Sequence, residues 1–308
     1  MKKKFRINPV MKKELMVNSR SIKMPLAIMG VNAFLTLVAV LSMAAAGGNI
    51  SRYEYSSLIV LFPVLGCIEC GLISLIVPIL TSSSISGERE KQTLDIMLTT
   101  PVSPLSIAVG KLGSAMMMVM MYMITSVPII AIAFVLGGMS WWSLLGLFAM
   151  LLYLGIYVGS VGIFCSSVVK KSVAATVLTI VIGVAIMIIT TTVFSVAYSI
   201  KSYYAMAVAN AYNYTYNIEP GMLPMILMLN PYAPFFDFML RAMSSESVYD
   251  IILAAGNGTS PFAGNNIILD LIYRLWIPVS VALNLLIAFG FLKLAARNIA
   301  VTRNRKKK

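Results

Sequence analysis

The chain of 308 residues is 59% hydrophobic and 11% charged, with a mean hydropathy of +0.89. A soluble domain carries about 25% charged residues, so this composition excludes one and reads as an integral membrane protein. The 24 Lys and Arg against 11 Asp and Glu, with no His, give a net charge of +13, which in so apolar a chain fits loops facing an anionic leaflet better than nucleic acid.

A spanning helix needs about 20 apolar residues. Met24 to Ala46 supplies the first, behind a basic lead of residues 1–23. That lead and "MAAAGG" imitate a cleavable signal, but the apolar run is longer than a signal core, and an uncleaved span is expected. Leu58 to Thr81 gives the second span, interrupted only by Glu69. A charged segment follows at 82–111, "SSSISGEREKQTLDIMLTTPVSPLSIAVGK". From Leu112 to Val169 no charge occurs, a length of about 87 Å as a helix against a bilayer about 30 Å thick, so the chain must turn inside it. Gly137-Gly138 before Trp141-Trp142 marks the turn between spans three and four. Lys170-Lys171 precede a fifth span, Ser172 to Ile200. Residues 201–270 are rich in tyrosine and then apolar and proline-broken ("MLPMILMLNPYAPFFDFMLRAM"), as short helices at or dipping into a leaflet would be. The sixth span covers 271–294, followed by a basic tail at 295–308.

Six spans put both termini on one side. Of the 24 Lys and Arg, only Arg52, Lys201, Arg241 and Arg274 fall on the other side. The positive-inside rule therefore predicts a multi-pass protein of the plasma membrane with both termini and segment 82–111 in the cytoplasm.

Segment 82–111 reads as a short amphipathic helix over 88–100. Leu94, Met97 and Leu98 share one face, and Glu88, Lys91, Gln92 and Asp95 another. Ser86 is the expected N-cap, Glu88 and Glu90 sit in the first turn, and Pro101 and Pro104 stop the helix. Held tightly between two spans, such a helix has the geometry of a lever.

Those residues carry a resemblance. "SGEREKQTLDIMLTTPVSPLSIAVGKL" is similar to the segment between the second and third spans of ABC-2 type transporter permeases, roughly E-x-E-x-G-T-L-E-x-L-L-x-x-P-[IV]-S and then G-K. Glu88, Glu90, Thr93, Leu94, Asp95, Leu98, Pro101, Val102, Ser103, Gly110 and Lys111 fall on that pattern. Gln92 replaces the usual Gly, which is expected to stiffen the helix. More loosely, "VMKKELMVNSRSIKM" resembles the family's interfacial N-terminal helix, and "LNPYAPFFDFMLRAM" its re-entrant outer segment.

The resemblance implies an all-α, six-span ABC-2 (type V exporter-like) permease, a non-enzymatic subunit of an exporter. In such permeases the 86–101 block holds the coupling helix that docks on a cytoplasmic ATPase. Glu88, Glu90, Thr93, Leu94, Asp95, Met97, Leu98 and Pro101 would then take up ATPase motion. Spans one, two and five would line the path of a homo- or heterodimer set among membrane lipids. The sequence has no G-x-x-x-x-G-K-[ST] phosphate loop, so ATP is expected on the separate ATPase and no cofactor on this chain. The cargo is not encoded in these motifs, because the scaffold does not fix it.

Glu69 is the remaining candidate, for the pathway or for gating. A carboxylate in mid-span must face a partner helix or the path, or be protonated. It supports an alternative, an ion-coupled secondary transporter, although such proteins normally carry several buried ionisable groups. Cys67 and Cys70 bracket it, and with "MMMVMMYM" (116–123) they raise a minor alternative of copper handling, which a lack of His weakens. An intramembrane enzyme is a rival reading: the missing His leaves no Ser-His or metal-His chemistry, and Asp residues in loops or at span ends argue against an aspartyl protease. Gly155, Gly159, Ser160 and Gly162 form a small-residue face expected to pack within the bundle. Pro63, Pro78 and Pro128 are expected to kink their spans. The tyrosines at 198, 203, 204, 212, 214 and 216 suit an aromatic belt.

Overall fold

The computed structural model describes residues 11, 14, 16, 22–47, 61–94, 102–136, 140–212, 223–244, 247–248, 250, 271–272 and 275–305. Among them there is helix and no strand. The long described α-helices are, in chain order, α1 (Lys23–Gly47), α2 (Leu61–Glu90), α3 (Pro104–Leu136), α4 (Trp141–Val168), α5 (Ser172–Tyr212), α6 (Ala233–Ser244) and α7 (Trp276–Arg305). All but α6 are long and apolar enough to cross a membrane, which gives six candidate spans.

The expected hairpin within the charge-free stretch is present as α3 and α4. Ser140 starts α4 as its N-cap, its Oγ accepting the Ser143 N–H at 3.3 Å, and Trp141 and Trp142 stand exposed beside it. Gly137 and Gly138 lie outside the described residues. Pro63 falls in the first turn of α2, where its missing N–H is tolerated, and α2 and α3 run on through Pro78 and Pro128.

Two compact units divide the chain. The first holds residues 1–182 and 286–308, the second 183–285. In the first, α2, α3 and α4 pack on one another most closely. The glycines of α4 make this possible. A Cβ on Gly159 would come within 2.7 Å of Leu112 Cδ1, and one on Gly162 would collide with the Thr81 side chain, its Cβ at 3.1 Å. The small-residue face is therefore spent inside the bundle, against α2 and α3. Towards the other end, Ala39, Leu61 and Leu65 join α1 to α2 in a further apolar cluster, with Ile129 of α3 packed against it.

In the second unit a 3-10 helix, Leu223–Leu229, meets α6 at a bend of 108° around Asn230 and Pro231. The break exposes a carbonyl that hydrocarbon would not satisfy. Met228 O accepts from Ser280 Oγ (3.0 Å) and Asn284 Nδ2 (2.9 Å), and Met228 packs with Trp276. Asn230 Oδ1 closes the turn onto the Tyr232 N–H. Buried Asp237 accepts from Arg241 Nε and the Val248 N–H. Nearby, the Ser247 hydroxyl and then its N–H, both donating to Asp250, hold that carboxyl below its ordinary range.

One expectation is corrected by α2. Ser86 is not the N-cap of a separate helix, and Glu88 and Glu90 do not open one, because α2 continues unbroken to Glu90. The hydroxyls that would cap a new helix turn backwards. Thr81 donates to Val77 O, Ser82 to Pro78 O, and Ser86 to Ser82 O. Such back-bonding keeps Ser and Thr compatible with a helix interior.

Candidate functional site

The candidate site is the end of α2 and the turn that follows it, residues 88–94. The turn is a Schellman motif. Thr93 N–H reaches back to Glu88 O at 2.9 Å and Gln92 N–H to Arg89 O at 3.2 Å. This motif requires a left-handed residue, and Gln92 supplies it with φ 57. Gln92 therefore does not stiffen a helix, as its propensity predicted; it stands at the residue that terminates α2. Glycine at this place would avoid a Cβ penalty of about 1 kcal/mol.

Three consecutive charged side chains next to the turn hold three different neighbours. The Arg89 guanidinium donates to Ser167 O and Val169 O, both at 3.3 Å, at the C-terminal end of α4. Glu90 accepts from the Ser172 N–H (3.0 Å) and Oγ (2.7 Å), at the N-terminal end of α5. Each charge thus has the sign that its helix end favours, a cation at free carbonyls and an anion at free N–H groups. Glu88 accepts from Thr93 Oγ1 and lies 3.7 Å from the Lys111 ammonium of α3. Behind them, Ser166 Oγ of α4 accepts the N–H groups of both Ile85 and Ser86 at 2.9 Å, and Ser82 Oγ meets Thr176 Oγ1 of α5 at 2.6 Å. The end of α2 is clamped on α3, α4 and α5 together.

Lys111 is 2% exposed and meets a second carboxylate, that of Glu14. Ser114 Oγ donates to the other oxygen of Glu14 at 2.7 Å. A Cβ on Gly113 would approach Met11 Sδ to 3.2 Å, so Met11 as well as Glu14 meets α3.

The four described members of the predicted coupling set behave differently from one another. Glu88 and Glu90 make the contacts above, and Thr93 seals the turn. Leu94 is 5% exposed, so its side chain packs within the chain and offers no free docking face, contrary to the amphipathic reading. Lys91 and Gln92 form the exposed tip. Asp95, Met97, Leu98 and Pro101 lie outside the described residues. Sequence reasoning gave no role to Arg89, Ser166 or Ser172. Their signal was available, since a lone Arg ahead of a turn and a Ser directly after Lys170-Lys171 are what helix ends use.

Glu69 is fully buried in α2. Ser126 Oγ of α3 donates to its Oε1 at 2.5 Å, whereas Oε2 is buried with no hydrogen-bond partner. The Tyr122 hydroxyl, one turn from Ser126 on α3, is likewise buried and unpartnered. Cys70 is buried and Cys67 is exposed. Among the described residues no three His, Cys, Asp or Glu side chains gather in a metal-binding arrangement.

No curated protein matches the sequence. A family model described as ABC-2 family transporter protein matches residues 14–293, from the Glu14 that meets Lys111 to the Lys293 of the last span. With six apolar helices and a match over nearly its whole length, the chain belongs to the ABC-2 family of transporter proteins and is a multi-pass membrane protein.

Proposed function

We propose that this chain is the permease subunit of an ABC exporter, driven at the 88–101 segment by a separate cytoplasmic ATPase. The observation that carries the reading is the clamped turn. Lys91 and Gln92 stand exposed at its tip, while Glu88, Arg89 and Glu90 tie its base to three spans. A push on the tip is passed to α2, α3, α4 and α5 at once, as a lever requires. The basic termini and this tip lie on the cytoplasmic side by the positive-inside rule. The permease works as a dimer in the plasma membrane. Support for this comes from α1, whose Leu26, Met29, Leu37, Val40 and Leu41 are all exposed within one chain and need lipid or a second copy against them.

The test is a mild-detergent pulldown from native membranes, followed by thiol cross-linking through Lys91→Cys. The expected product joins the chain to a soluble protein that carries a phosphate loop. Recovery of the chain alone, with no cross-link from position 91, would overturn the reading. A second reading, ion-coupled transport through Glu69, is favoured by its unpartnered Oε2. It predicts loss of transport with a proton uncoupler at constant ATP, where the ATPase-driven reading predicts loss only on ATP depletion.

A further inference from the structure

We infer that Lys111 is a positioning residue that makes the N-terminal segment around Glu14 part of the lever. The inference rests on the coupling reading above and extends it to a segment with no assigned part in that coupling.

A lysine 2% exposed at the start of a span is costly unless its charge is met. It is met twice, by Glu14 Oε1 and by Glu88 Oε1 at 3.7 Å. The two carboxylates come from separate elements, one ahead of α1 and one at the end of α2, and Lys111 is the ion-pair partner common to both. Two hydroxyls donate to the same carboxylates. Ser114 Oγ donates to Glu14 Oε2 at 2.7 Å, and Thr93 Oγ1 donates to Glu88 Oε2. Thr93 is also the residue whose N–H closes the turn onto Glu88 O. The turn, the carboxylate beside it, the shared ammonium and Glu14 thus form one continuous polar chain.

The mechanical consequence follows from the charges. If the turn at 88–94 is displaced, Glu88 moves relative to Lys111, and the ammonium must follow it or remain with Glu14. Either way the Glu14 segment changes its energy with the position of the lever. Conversely, removing the Glu14 charge leaves Lys111 to Glu88 alone and alters the turn, although Glu14 is no part of that turn. This action at second hand separates a positioning role from simple docking of the N-terminal segment.

Hydrogen exchange on the purified full-length chain in lipid nanodiscs tests it without any ATPase. Glu14→Gln is expected to change amide exchange at residues 88–93 by about tenfold, while amides in the middle of α4 keep the wild-type rate. Lys111→Arg should retain the wild-type pattern at 88–93, because a cation still faces both carboxylates. Change confined to residues 11–16, with 88–93 unaltered in Glu14→Gln, would overturn the inference. Failure of the Lys91→Cys cross-link would instead sink the coupling reading, because that experiment does not depend on Glu14.

Discussion

Gly162 and Gly30 are both glycines inside apolar helices, and their surroundings are opposite. A Cβ added to Gly162 of α4 would collide with Thr81, whereas one added to Gly30 of α1 would meet nothing within 4 Å. The contrast extends along both helices. Leu147, Leu151, Leu154 and Ile163 of α4 are fully buried, while α1 exposes Leu26, Met29, Leu37 and Leu41. One span has its packing satisfied within the chain, and the other still presents an apolar face. The glycine-containing face of α4 therefore builds the permease itself, and the bare face of α1 is where membrane or partner must complete it.

The most damaging test of that contrast is Gly162→Val. The added methyls have no room between α4 and α2, and the cost should reach the ~3 kcal/mol upper end of usual overpacking. Monodisperse protein should be lost in size-exclusion chromatography. Gly30→Val should leave the monomer folded and change at most the amount of dimer. Equal loss from both substitutions would erase the distinction between the two faces.

The same contrast operates within four residues at the turn. Leu94→Asp places a charge where 5% of the residue is exposed, and should destabilise by about 2–4 kcal/mol. Lys91→Asp, at the exposed tip, should leave the melting temperature within about 1 °C and instead weaken capture of the ATPase. If thermal melts show Leu94→Asp as stable as Lys91→Asp, Leu94 faces outward after all.

Glu69 tests whether the saturated part of the bundle is saturated everywhere. A glutamine keeps an oxygen for Ser126 Oγ and adds an N–H where Oε2 has no partner. Glu69→Gln should therefore change stability by less than about 1 kcal/mol. Transport into inverted vesicles should fall by a larger factor than expression. Equal losses would assign Glu69 to packing.

Much of this was legible in the chain. Charge-free length alone set the α3–α4 hairpin, and the small residues of α4 announced close packing. Over 82–94 local rules mislead, because tertiary contacts claim these residues. Ser86 has the chemistry of an N-cap, but Ser166 Oγ takes its N–H and the Ser86 hydroxyl turns back to Ser82 O. Leu94 lies on an amphipathic face whose sequence does not say whether the apolar side meets a partner chain or its own. Glu14 and Lys111 are 97 residues apart, and no periodicity links them.

Gln92 offers the smallest effect and the sharpest local question. The family pattern has Gly here, and the structure shows the reason, since this residue must adopt φ 57. Propensity alone says that Gly would loosen a helix by about 1 kcal/mol, so Gln92→Gly should lower the melting temperature. The Schellman geometry says the reverse, because Gly removes a Cβ penalty of about the same size, less the entropy it adds to the unfolded chain. The net gain should be about 0.5 kcal/mol, or a rise of 1–2 °C by the usual scaling for a chain of this size. A thermal melt of Gln92→Gly beside Gln92→Ala decides between them, because Ala keeps the Cβ and gains nothing at a left-handed residue. A rise with Gly and none with Ala places the end of α2 at this turn. A fall with Gly and a rise with Ala would mean that the helix continues through residue 92, and the tip at Lys91 and Gln92 would vanish with it.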